Sequence, residues 1–379
     1  MKKCIVIPDS FKGFMSSSEV ASIISSEIRK LFPECEVLSL PIADGSAGTI
    51  DCIRDVLHWD TIEVNTLGPF NDPVKARYAV HPDGNTAIIE SAQAVGLALA
   101  YGRLDPSKAS TYGIGVIVKD AISRGYKNII LALGGSCSND GGAGFATALG
   151  VRFYDEFDNL FTPVGATLNH VTKIDTSECD KLIEGCTIGA MCDILSLMHG
   201  PNGTASIYSP QKGADINMVA MLDRNLVHLD SILKSELGKD VSGIIGSGAC
   251  GGLGAMLLAV FNANLGSGIN YMLDIMNFDE LCQNSDMIIT GEGCLDYRSL
   301  RGKTVYGIAS RVKQLGLHTP VVAVVGTNKL DFETIAKAGI SSVVPITPTY
   351  MQYEESKLHC ATNLRNAITR LILSRYCPI

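Results

Sequence analysis

A short apolar run that breaks into glycines constrains this chain more than any other stretch. Met287 to Thr290 reads as a buried strand, and Gly291-Glu292-Gly293 opens it into an acid-rich turn. The turn ends at Gly302-Lys303, where a helical pattern begins. A buried strand that opens through glycines into a loop and then a helix is the layout of a site at the carboxyl end of a parallel sheet. Glu292, Asp296 and Lys303 lie in that loop. Two carboxylates and an ammonium there suit a metal-nucleotide or another anionic ligand. Taken alone, the same residues also read as a tight turn with solvated charges.

The rest of the chain supplies more edges of this kind. Cys4 to Ile7 reads as a strand ending at Pro8-Asp9-Ser10. The helix after it has Ser16 and Glu19 in a capping-box pattern and Val20, Ile23, Ile24, Ile28 and Leu31 on one face. Glu36 to Leu40 is a second strand, and Asp44-Gly45-Ser46 opens the next helix. The rhythm then changes: Val74 to Val80 alternates, Pro82-Asp83-Gly84 turns, and Thr86 to Glu90 continues extended, which predicts a hairpin. Ile129 to Leu133 and Ile188 to Cys192 read as buried strands that run into Gly134–Gly142 and Asp193. From Asp286 the βα alternation resumes, with a helix near Val305 to Leu315, strand Pro320 to Val325, a helix to Ala338, strand Ser342 to Ile346 and a last helix from Ala361. Two strands at one end and three at the other predict a five-stranded doubly wound parallel sheet split by a long insertion.

Length and composition agree. At 379 residues the chain exceeds one compact core, so two domains are expected. A hydrophobic fraction of 46% with only 6% aromatic residues and 38 glycines suits α/β architecture with many strand-to-helix turns. The net charge of −8 argues against a nucleic-acid or anionic-membrane partner. Twelve cysteines without a CxxC pair point to reduced thiols and a cytoplasmic location. No stretch has the length of a signal or membrane segment.

Two nucleotide signatures fail on inspection. Gly246-Ser247-Gly248-Ala249-Cys250-Gly251 matches G-x-G-x-x-G, but the strand before it is poor, and a lone match carries little weight. Gly302-Lys303-Thr304 resembles the tail of a P-loop, yet the leading glycine position is Tyr297. Asp140, before Gly141-Gly142, reads equally as a helix cap and as a neighbour of amides that accept phosphate.

The ordered set is more specific than any member. It comprises Pro8-Asp9-Ser10-Phe11-Lys12, Ala43-Asp44-Gly45 with Gly48-Thr49, Gly134-Gly135-Ser136 through Asn139-Asp140-Gly141-Gly142-Ala143-Gly144, and Cys192-Asp193. It continues with Pro210-Gln211-Lys212-Gly213, Gly248-Ala249 with Gly251-Gly252, Gly291-Glu292-Gly293, Asp296 and Gly302-Lys303. In these residues the chain resembles the glycerate kinase family, almost end to end. That resemblance implies phosphorylation of D-glycerate, a small hydroxy acid, by ATP with Mg2+. It also implies a flavodoxin-like doubly wound domain interrupted by an inserted α/β domain, with the active site in the cleft between them. The boundaries expected are 1–65 with 285–379 for the flavodoxin-like domain and 66–284 for the insertion.

Within that scheme Asp193, Lys12 and Lys303 are the expected catalytic residues, with Asp193 accepting the substrate hydroxyl proton. Glu292 and Asp296 are expected to hold Mg2+, directly or through water. Ser10, Asp44, Ser136, Asn139, Asp140, Gly291, Gly293 and Arg298 are expected around substrate or phosphate oxygens. The chain departs from the family's pattern in its loops. Gly13 and Ala47 stand where the family has acids, Tyr112 and Cys294 where it has cationic side chains, and Tyr112 and Val116 break its TSRGxGE stretch. An arginine at Arg298 or Arg301 does not automatically restore bidentate geometry four or more residues away. Three readings follow: a glycerate kinase, a kinase for another small hydroxy acid, and a homologue that has lost catalysis and binds a ligand.

Overall fold

The computed structural model describes residues 1–348 and 351–376. In chain order the first strands are β1 (Lys3–Pro8), β2 (Glu36–Ser39), β3 (Thr61–Leu67), β4 (Pro73–Val80), β5 (Thr86–Glu90), β6 (Asn128–Ala132) and β7 (Arg152–Tyr154). They are followed by β8 (Leu160–Phe161), β9 (Lys173–Asp175), β10 (Thr187–Met191), β11 (Asn264–Gly266), β12 (Met287–Leu295), β13 (Val321–Asn328) and β14 (Ser342–Pro345). The chain divides into two compact units: residues 1–44, 55–57 and 269–379 form one, and 45–54 with 58–268 the other.

In the first unit the two chain ends join in a single parallel sheet of order β14-β13-β12-β1-β2. Renumbered within the sheet this is 2-1-3-4-5, the flavodoxin-like order. Its central strands β1, β12 and β13 are apolar along most of their length because they are buried on both faces, while the edge strand β2 carries exposed Glu36 and Ser39. Cys4, Val6, Met287, Ile289, Val322 and Val324 meet Ile24, Ile28, Leu364 and Ile368 in one core. The capping box forms as expected: Glu19 N–H donates to Ser16 Oγ at 3.2 Å, and Ser16 N–H donates to the Glu19 carboxylate at 2.8 Å. The last helix, Tyr353–Tyr376, starts earlier than Ala361, with Glu354 and Glu355 in its first turn.

The second unit is built on a mixed sheet of order β11-β10-β6-β5-β4-β3. The hairpin of β4 and β5 forms, and a strand absent from the sequence reading, β3, pairs antiparallel with β4 along its whole length. From β5 to β11 the pairing is parallel. A small antiparallel sheet, β8-β7-β9, lies in the same unit. Among the described residues no helix is long and apolar enough to cross a membrane.

The unit borders fall earlier than 65 and 285, for local reasons. Residues after His58 enter β3 and hence the second sheet. Just before them, the Glu90 carboxylate accepts hydrogen bonds from Gly48 N–H and Ile50 N–H, both at 3.1 Å. That ties the start of the helix Thr49–Leu57 to β5. At the other border Ile269 packs under Gly307, and Arg311 pairs with Asp274 and Asp279, which ties residues from 269 onward to the helix Thr304–Gln314.

Glu90 is an expensive tether. Burial raises its pKa from 4.5 to about 7, against the lowering effect of the Ile50 and Gly48 amides. The fold therefore favours the protonated acid. Its contribution is full below pH 4.5 and is lost as pH rises through about 7. In Glu90→Gln this loss is absent. The stability difference between variant and wild type should shift by about 3 kcal/mol in the variant's favour between those limits, as read by urea unfolding. Parallel pH curves for the two proteins would show that Glu90 titrates normally.

Candidate active site

The first group of expected site residues lies in the flavodoxin-like unit, at the carboxyl ends of β1 and β12. Strand β1 delivers Asp9, whose N–H donates to Gly291 O at 2.9 Å, so the two strand ends are fixed to each other. The Asp9 carboxylate is 4% exposed and accepts from Ser10 N–H at 2.6 Å and from the Thr304 hydroxyl at 3.1 Å. Asp44 and Glu292 are also buried. Burial first, and then the Asp44 charge, raise the Asp9 pKa. Burial raises Glu292 to about 7; the Ser299 hydroxyl and Lys303 oppose this, and Asp9 and Asp44 add to it. Lys12 balances the cluster. Burial alone would lower its pKa, yet Asp44, Asp9 and Glu292 together raise it, so the ammonium stays charged.

Other residues of this unit take different places. Gly293 lies in van der Waals reach of the Phe11–Lys12 backbone, while a Cβ on Gly291 would meet Val324 O at 2.2 Å. Gly291 therefore lets the neighbouring strand approach, whereas the space at Gly293 would admit a Cβ. Lys303 is the residue before the helix Thr304–Gln314. Asp296, expected with Glu292 as a metal pair, is engaged by an arginine. Arg298 holds Asp296 through Nε at 3.0 Å, Nη2 at 2.7 Å and its backbone N–H at 2.8 Å, which keeps this carboxyl below the usual range. Gly13, where the family has an acid, sits at φ +83° inside the tight turn Phe11–Met15, a conformation that disfavours a glutamate.

Glu292 presents a buried Oε1 with no hydrogen-bond partner among the described residues. A hard carboxylate oxygen of this kind fits Mg2+, which commonly binds one or two carboxylates and completes its shell with substrate phosphates and water. The residues do not form a preassembled cage: among the described residues no group of three or more His, Cys, Asp or Glu side chains is placed to hold a metal ion.

The second group lies in the other unit, where β6 and β10 end. The loop from Gly134 carries Ser136, Asn139 and Asp140, all buried. Asp140 accepts from Thr111 N–H at 2.7 Å, Thr111 Oγ1 at 2.8 Å, and Gly142 and Gly144 N–H at 3.2 Å each. Its own carboxylate thus occupies amides at the start of the helix Ala143–Ala148, so of the two readings of Asp140 the cap is the one formed. Asn139 Oδ1 accepts from the Ser209 hydroxyl at 3.1 Å. Asp193 follows β10, and its Oδ1 accepts from Gly268 N–H at 3.0 Å. The Gly246–Gly254 cluster is no dinucleotide turn. Cys250, Gly251 and Gly252 run through left-handed φ of 52°, 69° and 98°, and a Cβ on Gly251 would meet Ser138 O at 2.2 Å. That cluster packs backbone against backbone on the Ser138–Gly141 segment, with Gly141 N–H donating to Gly251 O at 2.9 Å.

Sequence reasoning missed three contributors. Thr111 orients Asp140; Glu90 sits unmarked at the end of an apolar strand; Lys212 was visible only as part of the Pro210–Gly213 stretch. A buried acid or lysine in an apolar setting carries no local signature. Only the loops that meet it in space reveal it.

Comparisons with known proteins identify the family. The family model described as the glycerate kinase family matches residues 4–374. A glycerate kinase of Halalkalibacterium halodurans is 38% identical over 357 residues, covering 94% of this chain and 93% of that protein. Glycerate 2-kinase of Escherichia coli is 36% identical, covering 93% of each. The crystal structure of a protein titled putative glycerate kinase 2, from Salmonella typhimurium, superposes with a TM-score of 0.81 at 32% identity, covering 98% of each chain. The family model spans nearly the whole chain, and relatives above 30% identity are matched over more than nine-tenths of their length: the chain belongs to the glycerate kinase family and is a kinase.

Proposed function

We propose that this protein transfers the γ-phosphoryl group of ATP to a hydroxyl of D-glycerate in the cytoplasm. The observation that carries the reading is the buried Asp9–Lys12–Asp44–Glu292 cluster at the carboxyl edge of the flavodoxin-like sheet. Phosphoryl transfer asks a protein mainly to position groups and neutralise charge, and this cluster has the parts for both. The substrate hydroxyl oxygen forms the new bond to phosphorus, the bond to the β–γ bridging oxygen breaks, and ADP leaves with the electron pair. The hydroxyl proton goes to Asp193, whose carboxylate the Gly268 amide orients. Lys12 and Lys303 face phosphate oxygens. Glu292 would hold Mg2+, with Asp296 reaching it through water; when bound, Mg2+ supplies charge neutralisation at the β- and γ-phosphates. In this reading the residues of both units serve one reaction.

A second reading, a kinase for a related hydroxy acid, is favoured by one observation. Cys294 and Tyr112 replace family cations, and the nearby Arg298 guanidinium is engaged with Asp296. A coupled ADP-release assay over a panel of hydroxy acids tests both. D-glycerate should be turned over, and Asp193→Asn should lower kcat by about a hundredfold or more while leaving ATP affinity intact. If another acid exceeds glycerate by a wide margin, the substrate assignment moves to that acid. If none is phosphorylated, the kinase reading of this site fails.

The lost cations make a separate expectation. A charged hydrogen bond formed in the transition state is worth about 2–4 kcal/mol, or roughly a hundred- to a thousandfold in rate. Cys294→Arg, alone and with Tyr112→Arg, should therefore raise kcat/KM for glycerate by about tenfold or more. Robust wild-type turnover with no gain in either variant would show that the departures are harmless.

A further inference from the structure

Lys212 is a buried lysine whose pKa burial lowers, with no carboxylate within ion-pair distance among the described residues. It closes the short turn Pro210–Lys212 and is 3% exposed. Its Nζ donates to Ser138 O at 2.6 Å and lies 3.5 Å from Ser136 Oγ; among the described residues no carboxylate is within ion-pair distance. A buried cation held only by a carbonyl and a hydroxyl is costly, and buried charges are ordinarily paired. The anionic candidates nearby do not serve. Asp140 already accepts four hydrogen bonds from Thr111, Gly142 and Gly144. The Cys250 thiol is raised by burial, and burial pushes Cys137 up to about 12, so both remain thiols.

A second observation falls on the same loop. Asn139 is fully buried and its Oδ1 is satisfied by Ser209, but its Nδ2 has no acceptor among the described residues. Buried donors without partners are rare in folded proteins and call for an acceptor. The Ser136–Asn139 segment and Lys212 beside it therefore bring together a lysine amine, a hydroxyl and an orphan amide donor, with no carboxylate in ion-pair distance of the lysine among the described residues.

We propose that Lys212, together with Ser136 and the Asn139 amide, receives an anionic oxygen of the ligand, so that the ligand supplies the counter-ion that the protein lacks. The chemistry is that of a carboxylate or phosphate oxygen, which glycerate and ATP can both offer. The proposal rests on the kinase reading above, and it converts Lys212 from a motif letter into a binding residue.

The test measures equilibrium affinities for D-glycerate, for ATP with Mg2+ and for pyrophosphate, together with ligand-free thermal stability. The proteins are wild type, Lys212→Met, Lys212→Arg and Asn139→Ala. Lys212→Met should weaken either glycerate or ATP by about thirtyfold or more while leaving the other within about threefold. A loss confined to glycerate identifies its carboxylate as the partner; a loss shared by ATP and pyrophosphate identifies a phosphate. The ligand-free Lys212→Met protein should melt no lower than wild type, because an uncompensated buried charge has been removed. Lys212→Arg should retain part of the affinity, and Asn139→Ala should weaken the same ligand. Unchanged affinities with a lower melting temperature would make Lys212 an internal brace and overturn the proposal. If Lys212→Met does not fold, Asn139→Ala decides: unchanged binding of all three ligands overturns it. Wild type that binds pyrophosphate through Lys212 yet fails to phosphorylate glycerate would refute the proposed substrate and keep the receptor. Wild type that binds none of the three refutes both.

Discussion

Like charges gathered at the end of a buried sheet cannot all stay ionised without compensation, and the flavodoxin-like unit is arranged around that constraint. Asp9 and Glu292 are brought together because β1 and β12 are neighbours whose carboxyl ends coincide in register, Pro8 against Gly291, and Asp44 follows β2, the neighbour on the other side of β1. Burial removes the water that would otherwise screen them. Lys12 supplies the central positive charge, and the Ser10 amide and Thr304 hydroxyl fix the direction of Asp9. The shift of Glu292 toward about 7 corresponds to about 3 kcal/mol of preference for the neutral acid. A site under that strain gains when cations or phosphate-bound metal arrive, which is the electrostatic demand of phosphoryl transfer.

The other unit meets the opposite constraint. Its glycine-rich loop is fixed by a carboxylate that bonds inward to Thr111 and the helix start, so Asp140 acts as a brace for the loop. The loop is then closed against Cys250–Gly252 by backbone contact that excludes any side chain at Gly251. What remains unsatisfied there is positive or donating. The sheet edge of the flavodoxin-like unit thus gathers buried acids around one lysine, whereas the Ser136–Asn139 loop faces a buried lysine and carries an amide donor without an acceptor among the described residues.

Much of this was legible in the chain. The run Met287–Thr290 followed by Gly-Glu-Gly read directly as a strand end, because a central parallel strand has no polar face to confuse the pattern. The Ser16–Glu19 capping box is local chemistry and was equally plain. Strand β3 was not legible: Thr61–Leu67 mixes Glu63 and Asn65 with apolar residues on an edge strand, where propensity and burial signals are weak. Nor is the tie of Glu90 to the Gly48 and Ile50 amides, across 40 and more residues of sequence, announced by any local pattern. Arg298 shows the limit most clearly. Its position near a lost cation suggested a substitute, but its guanidinium closes on Asp296 two residues away.

The central claim is that the acids at the sheet edge form one coupled, buried charge cluster in the ligand-free protein. Site-resolved titration of the Glu292 side-chain carboxyl by 13C NMR, with Glu292→Gln to assign the signal, tests it most directly. The expected midpoint is about 7, moving down in the presence of ATP and Mg2+. A midpoint near the ordinary 4.5, unmoved by ligand, would contradict the account.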